Sequence, residues 1–399
     1  MYRKTRIVWS LVMFLFLFPY AAVRAEVGVT DEEILIGSTQ GLTGSMAFIA
    51  NQNTTGMKIM VDEINSKGGI HGRKIKLLIM DDAYRSDRHI ANVRRMIELD
   101  KVFCFVMNLG THTVASSLPL LNQYKVPLFP VATESKIFNC EPYVFGLKAS
   151  YRNLMIQGIR YMMEQRNKKK IAVVYWDNAF GREHIDAAEE YMTVIGQKLV
   201  ASEKYKDEDY DMSSVAAKVK KSEADCVALG ASISGCAKII KAFHNIGYNP
   251  DILGPLMLSS PGFIEVAGDT AEGVFIMLPF LTPLEESVAP FRELAKKIQP
   301  DKPWDNNIMS GMEYIYCFAE VCKRVGRDLT REKFIKVIKG LNDKNFMNPF
   351  STGAKFEFDP KQSRAGSSVI IGRIKNKQVQ RTDWIHWENM PVPKYEKCP

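Results

Sequence analysis

Two short turns hold the residues best placed to bind something. Asn108-Leu109-Gly110-Thr111-His112-Thr113 follows one apolar run and leads into a helical pattern, and Ala132-Thr133-Glu134-Ser135 follows the next apolar run. Hydroxyls beside the free N–H groups of a helix start make a site for an anionic oxygen. Thr and Ser are also ordinary helix caps, so one such turn alone says little. Two of them at the carboxyl ends of neighbouring strands can hold one carboxylate or amide oxygen. Catalytic patterns are missing. His71, His89, His112, His184, His244 and His386 do not pair with Cys, Asp or another His at metal-ligand spacing. There is no GxSxG elbow, and Gly68-Gly69-Ile70-His71-Gly72 follows a helical pattern where a phosphate loop would follow a strand. Asp81-Asp82 ends a strand, where a ligand or a solvated turn fits equally. No catalytic residue, metal or cofactor is expected.

The elements that must position these turns alternate. Ile34 to Ser38, Lys74 to Met80, Val102 to Met107 and Val126 to Val131 read as strands. Helical spacing runs through Asn53–Ser66, Ser86–Asp100 and Thr113–Gln123 between them. The strands are apolar throughout, as in parallel sheets covered on both faces. The pattern restarts near residue 148, with helices at Tyr151–Gln165, Phe180–Gly196 and Ser234–Asn245. Strands follow at Ile171–Tyr175, Cys226–Leu229, Ile252–Met257 and Val274–Pro279. Further on, Pro290–Ile298, Gly311–Val325 and Thr330–Lys339 read as helices, and Gly353–Asp359, Ser367–Ile374 and Gln378–Arg381 as strands.

The first residues address the chain. Arg3, Lys4 and Arg6 precede an apolar run from Ile7 to Phe18 broken only by Ser10, and Val23-Arg24-Ala25 offers a cleavage site. This is the pattern of a secretory signal peptide over 1–25, cleaved after Ala25. The mature protein is expected to work outside the cytoplasm, in the periplasm. Removing the four positive charges of that segment from the formal +8 leaves +4, scattered along the chain, which gives no nucleic-acid patch. Seven cysteines remain, and Cys104 and Cys226 sit in apolar strand runs as small hydrophobes. Cys140 and Cys398, in loop-like sequence, are the better candidates for disulfide pairing.

A resemblance rests on many ordered matches: Gly28 through Gly37, Gly41-Leu42-Thr43-Gly44, Val61-Asp62-Glu63-Ile64-Asn65, Gly68 through Ile75, Pro127-Leu128-Phe129-Pro130, Ala267 through Val274, and Phe358-Asp359-Pro360. On these residues the chain resembles the leucine/isoleucine/valine-binding type of periplasmic substrate-binding protein of ABC transporters. The resemblance implies an α/β fold of two lobes, each a mostly parallel sheet flanked by helices, with three hinge strands and a ligand cleft between the lobes. Lobe one is expected over 26–147 plus 281–355, lobe two over 148–280 plus 356–390, and a tail over 391–399. Gly110 and Thr111 match the loop that holds the ligand's carboxylate, and Ala132 and Thr133 the loop that completes the cradle. Phe48 and Ile49 fall in a first-lobe loop over the ligand, and Phe180 at an aromatic second-lobe position. Asn108, Ser232 and Ser259 stand on the same set of loops and complete the expected ligand-binding residues.

One departure bears on the ligand. The family's amino-acid binders place an acid on the second lobe after the strand at Ile252–Met257, and this chain has Leu256-Met257-Leu258-Ser259-Ser260 there. An unpaired buried ammonium costs several kcal/mol. A small carboxylate or amide with an apolar, aromatic-compatible body is therefore expected to bind better than leucine or valine, unless Asp177 or Glu134 supplies a charge. The implied partners are a small-molecule ligand and the membrane subunits of an ABC transporter, with a monomeric binding protein. A periplasmic sensor that signals to a membrane receptor is the alternative.

Overall fold

Ile34 and Ile36 are buried on one strand, β1 (Glu33–Gln40), which pairs in parallel with β2 (Lys74–Asp81) on one side and β3 (Cys104–Phe105) on the other. The computed structural model describes residues 26–206, 209–351, 356–359, 363–366 and 368–385. The expected signal peptide, the tail from 391 and Cys398 lie outside the described residues. Helices α1 (Ala47–Ser66), α2 (Ser86–Glu98) and α3 (Thr111–Tyr124) alternate with these strands.

The strand expected over Val126–Val131 is a ladder without a full strand. Phe105 N–H donates to Pro127 O, Phe129 N–H to Phe105 O and Met107 N–H to Pro130 O. Pro127 and Pro130 accept but have no N–H to give, so the pairing is interrupted. Phe145 N–H and Val131 N–H extend the same ladder by one more neighbour, through Leu128 O and Phe145 O.

The second sheet has seven strands. Its helices and strands run α4 (Tyr151–Glu164), β4 (Ile171–Trp176), α5 (Ala179–Val194), β5 (Ala201–Tyr205), α6 (Ser213–Lys221), β6 (Cys226–Gly230), α7 (Ile233–Asn245), β7 (Asp251–Gly254), α8 (Pro261–Ala267) and β8 (Phe275–Leu278). The chain then returns to the first lobe for α9 (Ala289–Ile298), α10 (Asn306–Val325) and α11 (Arg331–Lys339). A short ribbon of β9 (Phe356–Asp359) and β10 (Arg364–Gly366) precedes β11 (Val369–Lys375) and β12 (Gln378–Ile385). The order across the second sheet is β12-β11-β8-β7-β6-β4-β5, parallel from β8 to β5 and antiparallel where β11 and β12 join. The fold is the expected two-lobed α/β arrangement.

β9 and β10 pair with each other and not with the second sheet. Glu357 pairs with Asn342, and Phe358 N–H donates to Leu341 O. Arg364 pairs in parallel with Gly146.

In the first lobe, α10 lies directly on α1. Gly56 and Gly311 permit this, since a Cβ on Gly56 would sit 2.0 Å from Ile308 O and one on Gly311 2.1 Å from Asn53 O. The close approach carries Asn307, Ser310 and Tyr314 of α10 to the edge of the cleft. Among the described residues, no helix is long and apolar enough to cross a membrane. Five described cysteines are buried and free, namely Cys104, Cys226, Cys236, Cys317 and Cys322, whereas Cys140 is disulfide-bonded.

Candidate functional site

Both sheets turn their carboxyl ends toward the same cleft, where open α/β sheets bind ligands. The inner space between the lobes, counted out to its opening to solvent, is about 840 Å3. Its first-lobe end is the start of α3. Gly110 and Thr111 line it, and the first-turn N–H groups of α3 have no acceptor within the helix. Gly110 has φ +101°, and a Cβ there would lie 2.5 Å from the Tyr84 ring and 2.6 Å from Thr113 Oγ1, so only glycine fits without displacement. Asn108 holds the turn from behind. Its Oδ1 accepts from Thr39 N–H at 3.1 Å, and its carbonyl accepts from Ala132 N–H at 3.1 Å.

The cradle continues into a row of polar groups. Thr111 Oγ1 lies 2.9 Å from Thr133 Oγ1, which stands beside the Tyr151 hydroxyl. Tyr151 N–H donates to Glu134 O at 3.0 Å, and the Tyr314 hydroxyl reaches Glu134 Oε1 at 3.5 Å. Burial pushes the Glu134 carboxyl above the usual carboxylate range, against the pull of Lys148 and Arg364. Burial likewise holds the Tyr151 and Tyr314 phenols well above their ordinary range.

Lys148, on the hinge segment, ends this row. Its Nζ lies 3.0 Å from Glu313 Oε2 and donates to Ser310 Oγ at 3.1 Å. The rings of Phe280 and Tyr314 flank it, each centroid 4.7 Å away. Glu313 is fixed from its other side by Asn348 Nδ2 at 2.8 Å.

The second-lobe wall is largely apolar. Trp176 ends β4, Phe180 lies in the first turn of α5, and Leu256 and Met257 follow β7. Phe180 packs edge-on against Tyr151 at 5.0 Å and lies tilted against His184 at 4.3 Å. His184 is buried behind it, with burial lowering its pKa to about 4. Ser232 and Ser259 also line the cavity, but their hydroxyls serve the backbone. Ser232 Oγ caps Gly235 N–H at 3.1 Å, and Ser259 Oγ donates to Leu256 O at 2.7 Å. The cavity lining drawn from the second lobe contains no carboxylate.

The ten expected residues therefore separate. Ile49, Gly110, Thr111, Ala132, Phe180, Ser232 and Ser259 meet around the inner cavity. Thr133 is buried one layer behind Thr111, and Asn108 is the internal strut just described. Phe48 lies at the mouth, in an outer space of about 1250 Å3 beside Tyr210 and Glu265. Asp177 is paired with Arg182 and Lys204 and does not line the cavity, whereas Glu134 does. Asn53, Tyr84, Lys148, Tyr151, Trp176, Ser310 and Tyr314 line it without having been singled out for it. Tyr84 had a signal, standing just after Asp81-Asp82 at the end of β2. Asp82 itself serves the fold, accepting from Thr39 Oγ1 at 3.0 Å and meeting His89 at 2.8 Å. No group of His, Cys, Asp or Glu among the described residues is arranged to hold a metal.

A two-lobed α/β protein with a lined cavity between its lobes has the architecture of a solute-binding protein. The chain belongs to the periplasmic binding protein family, whose model matches residues 33–378. It is 26% identical over 243 residues to the Leu/Ile/Val-binding protein homolog 7 of Brucella abortus, a match covering 58% of this chain and 61% of that one. The chain thus spans less than two thirds of that relative's length. The fatty acid ABC transporter substrate-binding protein from Thermomonospora curvata superposes with a TM-score of 0.81 at 21% identity, covering 91% of this chain and 94% of its own. A solute-binding protein of an ABC transporter from R. palustris, solved in complex with benzoate, superposes with a TM-score of 0.76 at 18% identity, covering 88% and 96%. At such identities the structural likeness shows the fold.

Proposed function

We propose that this protein is an extracytoplasmic, non-enzymatic binding protein. It captures a small organic carboxylate or amide with an apolar body by lobe closure and delivers it to the membrane subunits of an ABC transporter. The observation that carries the reading is the cavity's polarity. An oxyanion-ready helix start with Gly110 and Thr111 stands on one side, and Trp176, Phe180, Leu256 and Met257 on the other. Binding proteins of this fold that carry fatty acids or benzoate by name support an apolar carboxylate. The basic and apolar start of the chain supports export.

A thermal-shift screen of amino acids, aliphatic and aromatic carboxylates and amides tests the proposal. A solute that binds only the folded protein adds RT ln(1 + [L]/Kd), about 2.7 kcal/mol at a hundredfold excess over Kd. At least one carboxylate or amide is expected to raise the melting temperature by several degrees. If none does, the capture reading falls.

A further inference from the structure

We infer that the closed cleft accepts a guest of zero net charge, so that a carboxylate without an amine enters together with one proton from solvent, held at Glu134. The inference rests on the proposed capture of a carboxylate at the Thr111 cradle and adds the charge rule for that site.

Three observations support it. The first is position. Glu134 lines the cavity, is 5% exposed, and follows Thr133, whose hydroxyl bonds that of Thr111. A carboxylate seated at the start of α3 would share a closed space with the Glu134 carboxyl.

The second is the charge around it. Lys148 faces Glu134 from the hinge and Arg364 from β10, while Glu313 and Tyr314 face it from α10 and Tyr151 from α4. Glu183 of α5 reaches the same loop, accepting from Ser135 Oγ at 2.6 Å and Lys136 N–H at 2.7 Å. Lys148 and Arg364 thus meet Glu134 and Glu313, leaving no spare cation for an arriving anion, and Lys148 is already paired with Glu313 at 3.0 Å. Glu183 has Arg364 and Lys136 beside it. His184 brings no charge near neutral pH. The start of α3 offers only about half a positive charge to an arriving anion.

The third is the direction of the Glu134 carboxyl itself, already displaced upward by burial. A second carboxylate displaces it the same way, because two carboxylates confined to one site share a proton. A zwitterionic amino acid brings its own ammonium, and Glu134 stays ionised to accept from it.

Calorimetric titration of the mature chain in two buffers of different ionisation enthalpy counts protons taken up per ligand. The probes are 3-phenylpropanoate and 4-methylpentanoate, with phenylalanine and leucine as their amine-bearing counterparts. At pH 7 the amine-free acids are expected to bring about one proton each, and the amino acids none. Affinity for the amine-free acids should fall by up to about tenfold per pH unit as pH rises, while affinity for the amino acids stays flat. Glu134→Gln should abolish both the uptake and the slope, with a melting curve confirming that the variant is folded. The wild-type proton count stands whether or not the variant folds. Acids that bind without proton uptake, or with uptake unchanged in E134Q, overturn the charge rule and leave the capture reading intact. If neither acids nor amino acids bind, the capture reading fails and the charge rule fails with it.

Discussion

The two walls of the cleft are built from different chemistry. The first-lobe and hinge wall places Thr111, Glu134, Lys148, Ser310 and Tyr314 on the cavity, joined by a chain of contacts from the start of α3 to Glu313. The second-lobe wall presents Trp176, Phe180, Leu256 and Met257, and its two serines are bonded to their own backbone. A polar wall held rigid by its own bonds can orient a ligand before closure. An apolar wall contributes only once it covers the ligand, at ~25 cal/mol per Å2 of apolar surface removed from water. Recognition and closure are thereby separated between the lobes, and substitutions on the two sides should fail in different ways.

The largest effect is expected at Lys148, and it is a loss of stability. Lys148 and Glu313 are 4% and 2% exposed, and Lys148→Met strands the Glu313 carboxylate without its cation. Breaking such a buried pair costs about 3–5 kcal/mol. Denaturant unfolding should show that loss, and the double variant Lys148→Met with Glu313→Gln should recover most of it. A midpoint unchanged in the single variant would mean that the polar wall is not held by this pair.

Binding, by contrast, should respond most to Thr111. Thr111→Ala removes a cavity-lining hydroxyl and should weaken a carboxylate by about 1.5–3 kcal/mol, as for a hydrogen bond to a charged group. Thr133→Ala removes the hydroxyl behind it and should cost less. Calorimetry with the best binder of the screen separates the two. A larger loss at Thr133 would place the ligand's oxygen one layer deeper.

What sequence reasoning reached and missed follows the same division. Gly110, Thr111 and Ala132 line the cavity from turns at strand ends, a local pattern that the sequence displays. Lys148, Tyr151 and Tyr314 were not legible in that way, because their neighbours are distant in the chain. Lys148 meets Ser310 across 162 positions and Tyr314 meets Glu134 across 180. The alternation of apolar strands and helices conveyed both lobes. It missed β5, an edge strand whose Ser202 and Lys204 are exposed, and it overstated the Val126–Val131 strand, which Pro127 and Pro130 interrupt. The second-lobe turn Leu256-Met257-Leu258-Ser259-Ser260 has no acid in its sequence, while Glu134, from the opposite wall, becomes a cavity group only through the fold.

A contact between the lobes should sharpen the comparison by pH. Glu183 of α5 accepts from Ser135 and Lys136 of the first lobe, and burial raises its carboxyl from 4.5 to about 6. A carboxyl raised in the folded state binds its proton more tightly there than in the unfolded chain. Its contribution is therefore full below about pH 4.5 and is lost as pH rises through about 6. Up to about 2 kcal/mol of wild-type stability should disappear across that interval. Glu183→Gln should remove this component of the pH profile, as read by thermal melts from pH 4 to 7. A wild-type profile identical to that of the variant would show that Glu183 ionises normally in the folded protein.

The smallest effect is expected at Phe48, and it distinguishes the mouth of the cleft from its walls. Phe48 is 42% exposed and lines the outer space, away from the inner cavity. Its ring faces Gly262 of α8 across the cleft, close enough that a Cβ on that glycine would lie 3.3 Å from two ring atoms. The side chain therefore touches the opposite lobe, and it does not line the inner cavity beside Thr111. Phe48→Ala removes part of that cross-lobe contact but leaves every polar partner of the ligand in place. Because the ring is already partly in water, the loss should be below about 1 kcal/mol, since only the buried fraction of its apolar surface counts. It should appear as faster release with nearly unchanged association, as most affinity changes within one interface do. Stopped-flow measurement of both rates on the best binder checks this. A loss of tenfold or more in affinity would put Phe48 on the ligand itself and make the first-lobe wall partly apolar.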